Sequence, residues 1–381
     1  MKVAVVMPHG VDPATGGDQI RAVQLCRQLA ALGADVHLVH HDFSGREAGP
    51  PDIPSVAVDS RPRGTVRWLA WRAGLAARQH RDPFALFSGR TAVTGLRTTL
   101  HELSPDVVDF QHSYSWVPTG LPDVATFIDV ESRLTTTSRH RHAPLRAIET
   151  REQRVIAEAA QTVTLSEEDR TRLLSLGAEP RRPPRCVPLG APPPSPYPHP
   201  LRDRVTTLAF VGSFGYPPNV EAVDILFGLW PRLQSAGGIV RLAVIGRGAS
   251  RFTRPPPGVE IRSDVADVGS ALADVDGLIV PLRSGGGVRV KIIEAFGMGL
   301  PVVSTRLGIE GLTAVDGTHA VVADDVSGLI AGVERLAPLE FRRSLTIEAR
   351  RLWERCFDPE LMGRRMMEVY ESVVAAQDRH G

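Results

Sequence analysis

Along the chain, short runs of β-branched and apolar residues alternate with longer stretches in which apolar positions recur every three or four residues. This is the pattern of βα units laid on a parallel sheet. Val3 to Met7 is predicted to be a buried strand, followed by a loop containing Gly16 and Gly17. From Asp18 to Leu32 the apolar residues Ile20, Val23, Leu25, Leu29 and Leu32 fall close to helical spacing. Gly33 stands where a glycine ends a helix, and Val36 to Val39 is the next predicted strand. Further strands are expected at Val107 to Phe110, Val124 to Ile128 and Thr162 to Leu165, the last preceded by a charged helix from about His142 to Ala160.

Between Glu179 and Pro200 the alternation stops. Ten prolines, from Pro180 to Pro200, lack amide protons and fix φ, which favours an extended, semi-rigid connector. Beyond it the alternation restarts, with strands expected at Thr207 to Val211, Val240 to Ile245, Val259 to Ile261, Gly277 to Val280, Pro301 to Ser304 and Ala320 to Val322. Helices are expected near Glu340 to Cys356 and Pro359 to Ala376. The expected organisation is therefore α/β: a domain over 1–178, a linker over 179–203, a second domain over 204–357 and a terminal helix over 358–381. Two doubly wound parallel sheets in tandem face a cleft in this reading, and ligands of such sheets bind beyond the carboxyl ends of the strands.

A length of 381 residues fits two cores, and 43% hydrophobic with 23% charged residues is ordinary for a folded chain. A formal net charge of +1 gives no global field for nucleic acid. Cys26, Cys186 and Cys356 are scattered and lack CxxC spacing, which indicates neither a disulfide framework nor a zinc site and fits a reducing cytoplasm. The apolar run after Met1 is too brief for a signal peptide, and no stretch approaches the roughly 18 apolar residues of a membrane span. Arg61 to Arg81 carries Trp68 and Trp71 among arginines. Such a basic helix suits peripheral contact with the inner face of a membrane; core-packed tryptophans with solvated arginines are the competing reading.

The chemistry concentrates between Pro281 and Val303, where a strand, a three-glycine loop, a helix and a second strand follow one another. Gly285, Gly286 and Gly287 offer backbone N–H groups with no side chain to block a ligand. The helix start adds a positive dipole end, so this is a place for phosphate. Arg289 and Lys291 put two cations at that same end, against the dipole's own preference, which an anion between them would explain. Glu294, about one turn on, suits bidentate hydrogen bonding to ribose hydroxyls. A tight strand-to-helix turn with a solvent-facing basic helix start is the alternative.

This segment resembles the donor site of GT-B glycosyltransferases of family GT4, one branch of which carries a GGG-x-R-x-K-I-x-E-A-x-x-x-G-x-P-V-V pattern. The likeness continues through Ser304-Thr305 and Gly308-Ile309-Glu310-Gly311-Leu312. Phe210-Val211-Gly212-Ser213-Phe214-Gly215-Tyr216-Pro217-Pro218-Asn219 resembles the family's first C-terminal strand and loop, and Gly16-Gly17-Asp18 with Arg21 its N-terminal glycine loop. The resemblance covers nearly the whole chain, weakly across 40–105 and strongly from 205 to 312. It implies two Rossmann-like domains, C-terminal helices packing back on the N-terminal one, and a retaining, metal-independent transfer with no cofactor. The donor would be a UDP-, GDP- or dTDP-sugar, and the acceptor nucleophile a hydroxyl or other group of a small molecule or glycan. Arg289 and Lys291 would stabilise the leaving diphosphate and Glu294 would hold the ribose. Gly16, Gly17, Gly212, Ser213, Gly246, Arg247, Asp264, Val265, Gly285, Gly286, Gly287 and Val288 would line the donor. Two places depart from the pattern: Gly286 stands where most of the family has a first Glu contacting the donor sugar, and Ser213 and Phe214 stand near its usual Arg and Lys.

In the N-terminal half, Asp129 falls at a predicted strand's carboxyl end, where it either orients or deprotonates an acceptor hydroxyl or caps a loop. Glu131, His112 and Trp116 are further candidate acceptor contacts. His140 and His142 have no carboxylate at ligand spacing. Glu149 and Glu152, among arginines, read as a solvated helix face. No GxGxxG follows the first strand, which disfavours a dehydrogenase. A nucleotide-sugar 2-epimerase and a non-catalytic nucleotide-sugar-binding partner subunit are the alternative functions.

Overall fold

The computed structural model describes residues 1–11, 16–42, 49–59, 89–130, 145–194, 197–377 and 379. The chain divides into two compact units: one runs to Gly190 and resumes at Pro359, the other spans Ala191 to Asp358. Arg61 to Arg81, Glu131, His140 and His142 lie outside the described residues. Among the described residues no helix is long and apolar enough to cross a membrane.

The first unit begins β1 (Lys2–Met7), α1 (Gly17–Ala31), β2 (Asp35–Asp42), β3 (Ser55–Asp59), α2 (Arg90–Leu103), β4 (Val107–Gln111) and β5 (Asp123–Phe127). It continues with α3 (Leu145–Glu158), β6 (Gln161–Thr164), α4 (Glu167–Leu174) and β7 (Arg185–Cys186). The strands form one parallel sheet in the order β3-β2-β1-β4-β5-β6-β7. β1 shows why its sequence is continuously apolar: Val3, Val5 and Met7 enter one core with Ala22, Leu25 and Leu29 of α1, while Ala4 and Val6 enter another with Leu96 and Leu100 of α2. A strand covered on both faces has no polar side.

The second unit contains β8 (Thr207–Val211), α5 (Pro217–Gly237), β9 (Arg241–Gly246), β10 (Val259–Ser263), α6 (Val268–Leu272) and β11 (Gly277–Val280). Then come α7 (Val290–Met298), β12 (Val302–Thr305), β13 (Val321–Ala323), α8 (Leu329–Arg335) and α9 (Leu339–Cys356). Its parallel sheet has the order β10-β9-β8-β11-β12-β13. In both sheets the strand order reverses beside the first strand, which is where doubly wound sheets open for ligands.

The last helix, α10 (Pro359–Gln377), packs in the first unit, with Met362, Met366, Val369, Tyr370 and Val373 in the same core as α1. α9 instead packs against α7. A fully buried polar network anchors α10. Tyr370 donates to Asp109 Oδ2 at 2.6 Å, Gln111 Nε2 to the same oxygen at 2.7 Å, and Thr126 to Oδ1 at 2.9 Å. Arg21 of α1 closes the network by donating to Gln111 Oε1. Burial raises the Asp109 carboxyl above its usual range, and the Arg21 charge and these hydrogen bonds oppose that rise.

Two expectations change. The proline-rich stretch contains β7, whose two residues lie at the sheet edge between Pro184 and Pro188, where missing amide protons are tolerated. Glu152, expected on a solvated face, is 1% exposed. It sits four residues after Ile148 and three before Val155, so helical geometry turns it inward with them.

Tyr370→Phe leaves a buried Asp109 oxygen short of a donor. A loss of about 1–3 kcal/mol is expected, read as a lower midpoint in urea unfolding.

Candidate active site

The four buried residues of β11 lead through Pro281 and Leu282 into a loop that ends at Arg289, the N-cap residue of α7. Gly285 and Gly287 have φ of +105° and +72°, a backbone region only glycine enters freely. A Cβ on Gly285 would also stand 2.9 Å from Tyr216 Oη. The Arg289 guanidinium, almost fully buried, curls back over this loop. It donates to the carbonyls of Gly285 at 2.9 Å and Gly287 at 2.8 Å, and to that of Gly286.

Lys291, in the first turn of α7, is partly buried. Its Nζ donates to Asn219 Oδ1 at 2.8 Å and stands 4.1 Å from the centroid of the Phe210 ring. Burial, with the neighbouring Arg289 charge, pushes its pKa down to about 7, while Glu294 pulls the other way. Burial pushes Glu294 up to about 7, opposed by Lys291. The Glu294 carboxylate has no hydrogen-bond partner among the described residues. An acid and a base with pKa values pushed toward neutrality thus stand three residues apart on one helix, a combination that marks this edge as a candidate site.

The neighbouring strand ends complete this edge. Gly212 and Ser213 follow β8, and Gly246 ends β9 with φ +133°. A Cβ on Gly246 would collide with the carbonyl of Gly212, so both strand ends depend on glycine for their approach. Phe214 N–H donates to the Arg247 carbonyl at 2.9 Å, and the Arg247 side chain is exposed. Asp264, just past β10, has φ +54°. Hydrogen bonds from the Ser263 hydroxyl and the Gly248 N–H hold its carboxyl below the usual range. Val265 follows, partly buried. The structure thus brings Gly212, Ser213, Gly246, Arg247, Asp264, Val265, the loop from Gly285 to Val288, Arg289, Lys291 and Glu294 to the carboxyl edge of one sheet.

Two members of this edge carried no sequence signal of their role. Asn219, in the first turn of α5, binds Lys291 across 72 residues, and Glu221 accepts from the Ser284 hydroxyl at 2.6 Å. Both stand on or beside the Pro-Pro-Asn stretch, but only the folded chain shows what they meet.

In the first unit, the Gly16 N–H donates to Gln19 Oε1 at 2.9 Å, capping α1, which starts at Gly17. Asp18 Oδ2 lies 3.2 Å from His112 Nε2 and 3.1 Å from His9 Nε2. Burial works to raise the Asp18 carboxyl, and the hydrogen bonds with His112 and His9 outweigh it, holding it well below the usual range. His112 has φ +78° and its ring stacks on Tyr114 with centroids 4.7 Å apart. Strained backbone at a polar cluster is a mark of functional positions. His9 was not apparent from sequence. Asp129 lies two residues past β5, partly buried. Trp116 corrects an expectation: it is 5% exposed in the core, and its Nε1 donates to Asp123 at 2.9 Å, so it presents no face to a sugar. Among the described residues no three His, Cys, Asp or Glu side chains converge as metal ligands would.

Comparison with known proteins gives a consistent result. Residues 205–338 match the model described as glycosyl transferases group 1, and residues 15–193 match that of glycosyltransferase family 4. No curated protein matches the chain by sequence. Among solved structures, the chain is similar to sucrose-phosphate synthase from Thermosynechococcus elongatus, with 15% identity and a TM-score of 0.76 over 99% of this chain and 100% of that one. It is also similar to Anabaena HepE, solved in complex with UDP and glucose, at 13% identity and a TM-score of 0.69 over 98% and 100% of the two chains. WaaG, a glycosyltransferase involved in lipopolysaccharide biosynthesis, matches at 18% identity with a TM-score of 0.66 over 97% and 99%. At these identities the likeness is one of fold.

The raised Glu294 pKa has a consequence for stability. The folded value, about 7, stands above that of an unfolded glutamate. Its contribution is therefore full at acid pH and lost as pH rises through about 7. Glu294→Gln should melt with the wild type near pH 5 and above it at pH 8.5 when ligand-free. Scanning fluorimetry across pH reads the difference, and a wild-type advantage at pH 8.5 would contradict the assignment.

Proposed function

The chain is a GT-B glycosyltransferase of group 1 and family 4, and from that premise we propose that it transfers a sugar from a nucleotide-diphosphate sugar with retention of configuration and without a metal ion. The observation that supports this best is the pair of cations at the head of α7. Arg289 organises the glycine loop, and Lys291 carries a displaceable ammonium at the same edge. Fixed positive charge aimed at a departing diphosphate stabilises the transition state without carrying a proton.

In the proposed reaction the bond from the anomeric carbon to the phosphate oxygen breaks, and the sugar passes through an oxocarbenium-like state. Lys291 meets the charge that develops on the diphosphate. The acceptor oxygen bonds to the anomeric carbon on the face the phosphate leaves, and its proton passes to the departing phosphate oxygen. Glu294, ionised against the ribose hydroxyls, fixes the nucleoside. The second unit binds the donor through the strand ends from Gly212 to Val265. In the first unit, the Gly16–Gly17 loop lets backbone approach a ligand, the Gly16 N–H itself being committed to Gln19, and Asp129 and His112 orient the acceptor. UDP-sugars are the first donors to test, because HepE was solved with UDP and glucose. Transfer is favoured over 2-epimerisation, since Gly286 removes a carboxylate such an epimerase would need.

The test is donor turnover with UDP-, GDP- and dTDP-sugars, with and without acceptor and with and without EDTA. Lys291→Ala and Arg289→Ala should each lose on the order of a hundredfold or more, while Glu294→Ala should chiefly raise the donor KM. Near-normal turnover in both cation variants would remove the assignment. Conversion of the donor sugar to its epimer without acceptor would favour the epimerase, and loss of activity in EDTA would end the metal-independent reading.

A further inference from the structure

Lys291 and Asn219 meet from two helix starts, α7 and α5. Both ends of the Asn219 amide are committed: Oδ1 accepts from the ammonium at 2.8 Å, and Nδ2 donates to the Ser213 carbonyl at 2.9 Å. One partner can only donate and the other can only accept, so the amide has a single workable orientation. Asn219 is 8% exposed, and a Cβ on Gly212 would stand 2.9 Å from its amide, so its seat exists because residue 212 has no side chain.

The two cations differ in how firmly they are held. Arg289 is tied to three carbonyls of its own loop. The Lys291 ammonium has one hydrogen-bond partner among the described residues, the neutral amide of Asn219. The bond to Asn219 is charged on the donor side only; a phosphate oxygen adds its own negative charge, so a diphosphate outcompetes a neutral amide for this ammonium.

We propose that Asn219 is a positioning residue that holds the Lys291 ammonium in its charged form and yields it to the diphosphate. This rests on the reading of Lys291 as the diphosphate-contacting cation. The charged groups that act on Lys291 are Arg289, which with burial favours the neutral amine, and Glu294, which opposes them. The Asn219 oxygen accepts a bond that is stronger from the charged ammonium than from the neutral amine, and so favours the charged form. Removing it lets Arg289 and burial prevail, and a carboxylate in its place overcompensates.

The experiment measures binding of UDP, GDP and dTDP by calorimetry between pH 5.5 and 9, in the wild type and in Lys291→Met, Asn219→Ala and Asn219→Asp. The Lys291→Met profile records titration of the nucleotide and of Glu294, and Lys291→Met/Glu294→Gln beside Glu294→Gln separates the lysine from both. In the wild type the lysine's contribution should fade as pH rises above about 7, the value burial gives the lysine. In Asn219→Ala affinity at neutral pH should drop about tenfold and the midpoint should move to lower pH; in Asn219→Asp the midpoint should move higher. A purely structural asparagine would change the melting temperature or the affinity without moving the midpoint. If Lys291→Met weakens binding but both Asn219 variants keep the wild-type midpoint, the inference is overturned and the donor-site reading stands. If no nucleotide binds the wild type, or Lys291→Met binds as well as the wild type, both fall together.

Discussion

The buried guanidinium of Arg289 is the interaction on which the rest of the site depends. The glycines of this loop, at φ +105° and +72°, have no side chains to fix its shape. Carbonyls gathered on one cation supply that shape, each accepting a charge-assisted bond from the terminal nitrogens of the guanidinium. Arg289 is also the N-cap residue of α7, so the loop its side chain ties down leads directly into the turns that carry Lys291 and Glu294. Burial, and after it the guanidinium, lowers the pKa of the neighbouring lysine.

The first unit solves a related problem by different means. Its sheet carries Asp109, Gln111 and Thr126 where purely apolar strands would pack, and these side chains recruit Arg21 from α1 and Tyr370 from α10. A buried carboxyl is costly unless every lone pair finds a donor, so this network admits one docking position for the last helix. One residue beyond Gln111, His112 takes φ +78° and meets Asp18. The network that seats α10 and the polar cluster at the strand end thus share one stretch of β4 and the first turns of α1.

Sequence reasoning located groups that stand together in space where they are close along the chain. The glycine loop, Arg289, Lys291 and Glu294 fall within one strand-loop-helix unit, and their types and spacing are what the proposed phosphate and ribose roles rest on. It failed where partners are far apart. His9, Asp18 and His112 assemble from three segments, Asn219 reaches Lys291 across 72 residues, and Tyr370 reaches Asp109 across 261. Trp116 looked available because aromatic residues after strands often are, but Asp123 supplies a buried acceptor for its indole. Glu152 looked solvated because it is charged, although its spacing from Ile148 placed it on the inner face.

The sequence alone therefore determined most of the alternation of strands and helices, though not β3, α2, α4 or β7, together with the break near the prolines and the concentration of glycines and cations at the start of one helix. Those features follow from dihedral preferences and from side-chain periods of two and 3.6 residues, which act locally. Only the tertiary structure decided which donor meets which acceptor: Arg289 with its own loop, Lys291 with Asn219, Asp109 with the last helix. A polar group's partner is fixed by what remains within reach once packing has excluded water, and no local pattern encodes that.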